Sequence, residues 1–370
     1  MHPARKMGYR DLMAGLEAEV AAGTVVVQAL GDLRLFTYSR SCAYDRAWNQ
    51  FNELARGLIV DIAAQEIIAT PFPKFFNHGE RLDTIPALEF ETHEKVDGSL
   101  IIIFWHAGEW KTATKGSFKS EQALAAKSFL TPHVTAHLTI GSTYLAEYVG
   151  PSNRIVIHYP DHELVLLGVY YPDGIEETGP ALRSLADRLQ WRLAQRHDYK
   201  SISDLLAVAG NLPATSEGFV LRFSNGHRLK IKGDEYCRIH RLVSNVSPLA
   251  IWDNMRSGDD LDAIRRELPE EFWSDFDQIR TLLGNRLNAI IQRTADVAKT
   301  LEGLPDKDVG LRLDSFDQDI RSFIFPYRKQ GNLLIGRSRE SLFRAIRPTA
   351  NRLDGYQPSS SMNRIFEEAT

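Results

Sequence analysis

The chain has 370 residues, 43% hydrophobic and 25% charged, with a formal net charge of −4, values of a soluble globular protein with room for two domains. Two cysteines exclude a disulfide framework and a four-cysteine zinc site. The N-terminal stretch MHPARKMGYRDLMAGLEAEV holds no apolar leader segment and no apolar run is long enough to cross a bilayer, so a reducing cytoplasm and no membrane partner are expected. In chain order, residues 9–21 read as an amphipathic helix. The runs TVVVQAL, LRLFTY and GLIVDIA follow as strands separated by polar turns. HEKVDGS, residues 93–99, lies between LEFET and LIIIFWH, and Asp-Gly between β-rich runs predicts a hairpin turn. Further strands are expected at TYLAEYV, RIVIHY, ELVLLGVYY, EGFVLRF and HRLKIKG. Helices are expected at 119–130, at 180–197, and after Ser201, where Ser201 and Asp204 resemble a capping box and Gly210 a stop. Beyond residue 240 the apolar spacing turns helical: LDAIRREL, the long run from Glu270 to Leu304, SFDQDIRSFIF and RESLFRAI. The expected organisation is an α+β domain over residues 1–245 and an all-helical domain over residues 246–370.

A lysine two residues before Asp-Gly is either a solvated strand end or a nucleophile. An amine attacks phosphorus only when neutral, and an ordinary pKa of about 10.4 keeps it charged at neutral pH. Burial or neighbouring cations would lower that value for Lys95. Lys230 and Lys232, two apart on a predicted strand, face one side and are the candidate cations. Glu147 shares a strand face with Leu145 and Val149, and Glu217 heads another strand. Carboxylates in such places need a partner, here Arg154 or Arg222, or a job. Lys115 in TKGSFKS stands beside a Gly-Ser turn whose backbone donors suit phosphate. Lys74 precedes Phe75 and Phe76, aromatics that could stack on a base. Together these residues suit attack on a nucleotide α-phosphate. The lysines would offset phosphate charge, and the carboxylates would hold hydrated Mg²⁺ or bind the ribose.

In order and spacing, KVDGS, LAEYVG, SEGFV and LKIK resemble the K-x-D-G, strand-Glu, E-G and K-x-K signature of covalent nucleotidyltransferases, the ATP-dependent ligases and RNA capping enzymes. LRLFTYS, ARGLIV, PKFFN, KGSFKSEQAL and PSNRIVI narrow the resemblance to the RNA ligase 1 family, the tRNA-repair ligases of T-even phages and their relatives. It extends over roughly residues 30–245. The resemblance implies a nucleotidyltransferase (ATP-grasp-like) domain of antiparallel sheets flanked by helices. It implies that Lys95 forms a lysyl-AMP, with Lys230 and Lys232 as further catalytic groups on the α-phosphate. Tyr38, Arg56, Lys74, Phe76, Glu94, Gly98, Lys115 and Val220 would complete the nucleotide pocket together with Glu147 and Glu217, Phe76 lying against adenine. Asp97, Glu147 and Glu217 would reach Mg²⁺ or Mn²⁺ through water. The implied reaction is ATP-dependent joining of 5′-phosphate and 3′-OH RNA ends through lysyl-AMP and AMP-RNA, with broken tRNA as the partner in repair. No G-x-x-x-x-G-K-[ST] is present, so an end-healing kinase or phosphatase would be a separate protein. The alternatives are a GTP-dependent capping-type or DNA-sealing transferase and a catalytically silent RNA-end-binding protein.

Two signals lie outside that signature. His133 and His137 stand four residues apart, a spacing that suits a shared metal, but no third ligand accompanies them and a surface pair is expected. Arg328, Lys329, Arg337, Arg339, Arg344, Arg347 and Arg352 face a single acid, Glu340. This stretch either grips RNA phosphates or is a solvated face packed on the acidic part of its own domain. The helical part matches no residues of the helical domain found in the phage enzyme, and a role in RNA or tRNA choice is its expected use.

Overall fold

Glycine turns and β-branched runs break the first part of the chain into hairpins. The computed structural model describes residues 1–81, 85–268, 272–349 and 352–359. The valines after Thr24 form β1 (Val25–Leu30), and Gly31, at φ 59°, turns the chain back into β2 (Leu33–Tyr38). With β3 (Arg56–Asp61) and β4 (Glu66–Ala69) these make an antiparallel sheet in the order β1-β2-β3-β4. Helix Tyr9–Ala21 covers one face, packing Leu12 and Leu16 with Val25, Phe36, Leu58 and Val60.

β5 (Phe76–Asn77) and β6 (Phe90–Glu94) belong to a second sheet. β7 (Ser99–His106), β8 (Glu109–Ala113), β9 (Thr143–Val149), β10 (Glu163–Tyr170), β11 (Glu176–Glu177) and β12 (Arg192–Leu193) form a third. β13 (Arg196–His197), β14 (Gly218–Phe223) and β15 (Arg228–Lys232) return to the second, whose order is β13-β6-β14-β15-β5. The near-continuous apolar run in β7 reflects burial on both faces. Ile101 and Ile103 pack with Tyr144, Leu164 and Leu185, while Ile102 and Phe104 pack with Leu35, Ile59 and Phe72.

Three expectations are corrected. Asp97-Gly98 does not close a hairpin: β6 and β7 do not pair, and the segment between them carries the chain from the second sheet to the third. RIVIHY is not a strand. The N–H groups of Val156 and Ile157 donate to the Asp97 carboxylate, at 2.9 and 2.8 Å, instead of to a neighbouring strand. The helix expected over 180–197 spans Gly179–Leu189 and stops at Gln190, a left-handed cap at φ 56°. The remaining residues join sheets, β12 running parallel to β10 and β13 antiparallel to β6. Helix Ile202–Ala209 is capped by the Ser201 hydroxyl, which accepts from the Asp204 N–H, but Gly210 ends it in a right-handed conformation.

The chain divides into two compact units between His240 and Arg241. Among the described residues the second holds helices Pro248–Ser257, Leu261–Glu267, Trp273–Thr300, Asp306–Arg312, Gln318–Gln330 and Gly336–Ala345, and no strand beyond the isolated bridge Thr349–Arg352. Glu270 and Glu271, the start of the long helical run, and the C-terminal residues 360–370 of the expected helical domain lie outside the described residues. Among those described, no helix is long and apolar enough to cross a membrane.

Candidate active site

Lys95 follows the last residue of β6 and is tied twice to the start of β14 and the residue before it. Its N–H donates to the Gly218 carbonyl at 2.8 Å, and its Nζ donates to Glu217 Oε2 at 2.7 Å. Glu217 Oε1 takes the Lys232 ammonium at 3.0 Å, so one buried carboxylate bridges two lysines. The register allows this because Gly218 lies opposite Lys232. Only glycine fits there: at φ 134°, a Cβ would stand 2.1 Å from the Ile231 carbonyl oxygen. Gly98 is constrained by approach rather than by φ, since a Cβ would meet the Tyr148 carbonyl oxygen at 2.4 Å.

Burial pulls the Lys95 ammonium down, but Glu217 and Glu147 outweigh it and hold the group above its ordinary range. The expectation from the sequence is that nearby cations lower it. In the structure the nearest charges are carboxylates, and the depressed amine is Lys230, held well below its ordinary value by burial and by Lys74, Lys95, Lys232 and Arg56. Burial likewise pushes the Glu147 carboxyl up to about 7. Glu217, although buried, is held low by Lys95 and Lys232. The ion-pair partner suggested for Glu217, Arg222, is instead bound to Glu176 at 3.1 Å.

Beyond Lys230 lie further cations: Lys74, with Glu80 among its charged neighbours, Arg56, with Glu147 among its own, and Lys115. Lys74 Nζ stands 5.1, 5.2 and 5.6 Å from the ring centres of Trp48, Phe76 and Tyr38. Lys115 lies 5.8 Å from Tyr38, while Arg56 and Lys230 lie 5.4 and 5.3 Å from Phe75. Burial raises the Tyr38 hydroxyl, but Lys115, Lys74 and Arg56 together bring it below its ordinary range. Val220 sits opposite Lys230 and His93 in the sheet. Phe76, 8% exposed, has Lys74 and Arg81 over its ring, so it forms a wall of this cage.

Two further assignments change. Asp97 is 1% exposed, and both its oxygens are taken: Oδ2 by Val156 and Ile157, Oδ1 by the Tyr236 hydroxyl at 2.7 Å. It anchors the loop and is not placed to reach a metal. Burial and Glu217 still push its carboxyl up to about 6. The Glu94 carboxylate is committed to Arg192 at 2.5 Å and the Gln195 N–H at 2.8 Å, so it braces β6 and does not line a pocket. Glu147 accepts no hydrogen bond or ion pair among the described residues, and with Glu217 it offers hard oxygen donors of the type Mg²⁺ takes. No group of three His, Cys, Asp or Glu side chains that could cage a metal occurs among the described residues. A cation here would keep most of its shell from water and phosphate.

Sequence reasoning missed Trp48, Tyr236 and Arg192. Trp48 lies in the polar stretch SCAYDRAWNQ, which has no periodic signal. Tyr236 was findable: it stands four residues after Lys232, one helical turn into Asp234–Ser244.

Residues 54–236 match the family model described as RNA ligase. An RNA ligase of Rhodothermus phage RM378 is 23% identical over 298 residues, covering 60% of this chain and 67% of that protein. A protein of Autographa californica nuclear polyhedrosis virus, named as a candidate bifunctional polynucleotide kinase/RNA ligase, is 28% identical over 221 residues, covering 52% of this chain and 31% of that protein. The structure of an archaeal ATP-dependent RNA ligase covers 96% of this chain and 94% of its own at 14% identity and a TM-score of 0.46, a likeness too loose to carry an argument. Residues 54–236 belong to the RNA ligase family. The chain spans about two thirds of the phage relative and under a third of the baculovirus relative.

In the second unit the basic stretch splits in two. Arg328 donates to the Leu301 and Leu304 carbonyls and Arg339 to that of Arg256, so these two serve packing. Lys329, Arg337, Arg344, Arg347 and Arg352 are exposed. Arg344 borders a groove of about 530 Å³ between helices Gln318–Gln330 and Gly336–Ala345, with Ser322, Phe323 and Ser341 on its walls. In the first unit the His133 and His137 rings pack edge to face at 5.0 Å, and His133 bonds the Arg188 carbonyl.

Proposed function

We propose that the protein is an ATP-dependent RNA ligase that joins 5′-phosphate and 3′-OH ends through lysyl-AMP and AMP-RNA, in repair of broken RNA such as tRNA. The observation that carries this reading is the Lys95–Glu217–Lys232 bridge beside four cations, Lys230, Lys74, Lys115 and Arg56, that make no ion pair among the described residues. Half-buried positive charge of that kind is stabilised by an anion with several charges.

Lys95 must first lose its proton, and Glu217 Oε2, at 2.7 Å, is the acceptor in reach. The freed lone pair forms an N–P bond to the α-phosphorus of ATP. The α–β bridging P–O bond breaks, and pyrophosphate leaves with that electron pair. An oxygen of the RNA 5′-phosphate then attacks the same phosphorus, the N–P bond breaks, and Lys95 regains a proton. Finally the 3′ oxygen, having given up its proton, attacks the RNA 5′-phosphorus, and AMP leaves. Lys230, Lys232 and Arg56 would offset charge on the phosphate oxygens at each step. Hydrated Mg²⁺ or Mn²⁺, reached through water by Glu147 and Glu217, would supply further charge compensation at those oxygens. The helical unit is the RNA- or tRNA-selecting module on this reading, and end healing falls to another protein.

The test is incubation with α-labelled ATP alone. Label is expected on the wild-type chain and absent from Lys95→Ala. Label on the Lys95→Ala protein would defeat the assignment. Labelling by GTP in place of ATP, or sealing confined to nicked DNA, would move the protein to the capping-type or DNA-sealing class. RNA binding without any label would make it a silent end-binding protein.

A further inference from the structure

We propose that Trp48 is a positioning residue for the leaving-group half of the nucleotide's phosphate chain, acting through Lys74. The inference rests on the adenylylation reading above and deepens it. Lys74 is half-buried and makes no ion pair among the described residues, and its charged neighbours are Arg56, Glu80 and Lys115. Its partners are the rings of Tyr38, Trp48 and Phe76. Rings hold an ammonium by their quadrupole without cancelling its charge, whereas a carboxylate would hold it and cancel it. The cage therefore fixes a cation in place and leaves it able to attract an anion.

Trp48 closes that cage. Tyr38 and Phe76 are carried by β2 and β5, but Trp48 comes from the connection between helices Arg40–Asp45 and Gln50–Leu54. Its ring meets Tyr38 edge to face at 5.0 Å and Phe76 at 5.4 Å. The connection is locally specified: Arg46 takes a left-handed turn at φ 54°, the Trp48 N–H donates to the Arg46 carbonyl, and Asn49 with Asn52 forms a capping box immediately after.

The order of the cations says which half of the nucleotide lies there. In the sheet order β6-β14-β15-β5, Lys95 directly follows β6, Lys230 lies on β15 opposite Asn77 of β5, and Lys74 precedes β5. Lys230 thus lies between them. With the attacked α-phosphorus at Lys95, a phosphate chain following this run reaches Lys74 with its outer phosphates, the part that leaves as pyrophosphate. The ring faces of the cage are turned to Lys74, which suits an anion at that ammonium better than a base between the rings.

The experiment uses the full chain and three reactions: lysyl-AMP formation against ATP concentration, discharge of preformed lysyl-AMP by pyrophosphate, and sealing of pre-adenylylated RNA. Trp48→Leu is expected to raise the KM for ATP and the half-maximal pyrophosphate concentration by about tenfold, with kcat and sealing of pre-adenylylated RNA little changed. Trp48→Phe should restore most of the loss. In a Lys74→Met background, Trp48→Leu should add nothing, because the two act as a unit. Equal loss in all three reactions, which would mark a merely structural or nucleoside-side role, overturns the inference. So does an unchanged KM for ATP, or an additive effect in the Lys74→Met background. Should Trp48→Leu not fold, the split between reactions is read from Trp48→Phe and Lys74→Met. A wild-type chain that takes no label at all would overturn the reading beneath the inference and the inference with it.

Discussion

Glu147 feels the charge of Lys95 and has no hydrogen-bond donor of its own among the described residues, and burial pushes its carboxyl up to about 7 from an ordinary 4.5. A raised carboxyl favours the fold while it is neutral. Its contribution is complete below the unfolded value and is lost as pH rises from 4.5 through about 7. Replacing it with a neutral isostere should therefore stabilise the first unit at alkaline pH and not at acid pH. Glu147→Gln is expected to gain about 3 kcal/mol at pH 8 and to match wild type near pH 4.5. Urea unfolding at the two pH values checks this, and equal gains at both would rule out the carboxyl as the cause. On the proposed reaction the same variant should lose AMP labelling. Residue types were the most legible level of this protein: Lys95, Glu217 and Lys232 stand in one bridge, and their spacing in the sequence already matched a known pattern. Their charges were not legible, because the nearest neighbours of Lys95 are set by the pairing of β14 with β15 and β6, far away in sequence.

At the scale of elements, the segment KVDGS shows where local pattern misleads. Asp-Gly between two β-rich runs has the composition of a hairpin, yet the two strands enter different sheets, and Asp97 spends its carboxylate on the backbone of 156–157 and on Tyr236. RIVIHY has the composition of a strand for the same reason: three apolar residues in a row are buried here as a bend, with Asp97 standing in for a partner strand. Asp97→Ala would leave two buried N–H groups without an acceptor and is expected to cost about 3 kcal/mol. Tyr236→Phe, which removes one hydroxyl donor, should cost about 1 kcal/mol. Denaturant titration of both variants measures the difference, and similar costs for the two would show that the loop does not depend on the carboxylate. WRLAQRH failed for a different reason. Its periodicity continues the preceding helix, but Gln190 ends that helix in a left-handed cap, and tertiary pairing with β10 and β6 claims the rest.

At the scale of the whole molecule, a net charge of −4 conceals opposite local fields. In the second unit Arg337 and Arg344 stand seven residues apart, on one face of helix Gly336–Ala345, and both are exposed. If this unit takes RNA, reversing both charges with Arg337→Glu and Arg344→Glu should weaken RNA binding and reduce the slope of log affinity against log salt by about 1.4. Labelling of Lys95 by ATP should be unaffected. An unchanged salt slope would assign the RNA surface elsewhere. The helical character of this unit was plain from periodicity, but periodicity cannot separate arginines that serve packing, such as Arg328, from those left to solvent.

The carboxylate shared by two lysines has a consequence in time. Once Lys95 carries AMP and its former proton has passed from Glu217 to water, the nitrogen bears no positive charge, and Glu217 keeps Lys232 as its ionic partner among the described residues. Oε2, which held the nucleophile at rest, is released at the moment the second substrate must be admitted. On the proposed cycle, the exchange of partners at this one side chain distinguishes the waiting enzyme from the loaded one.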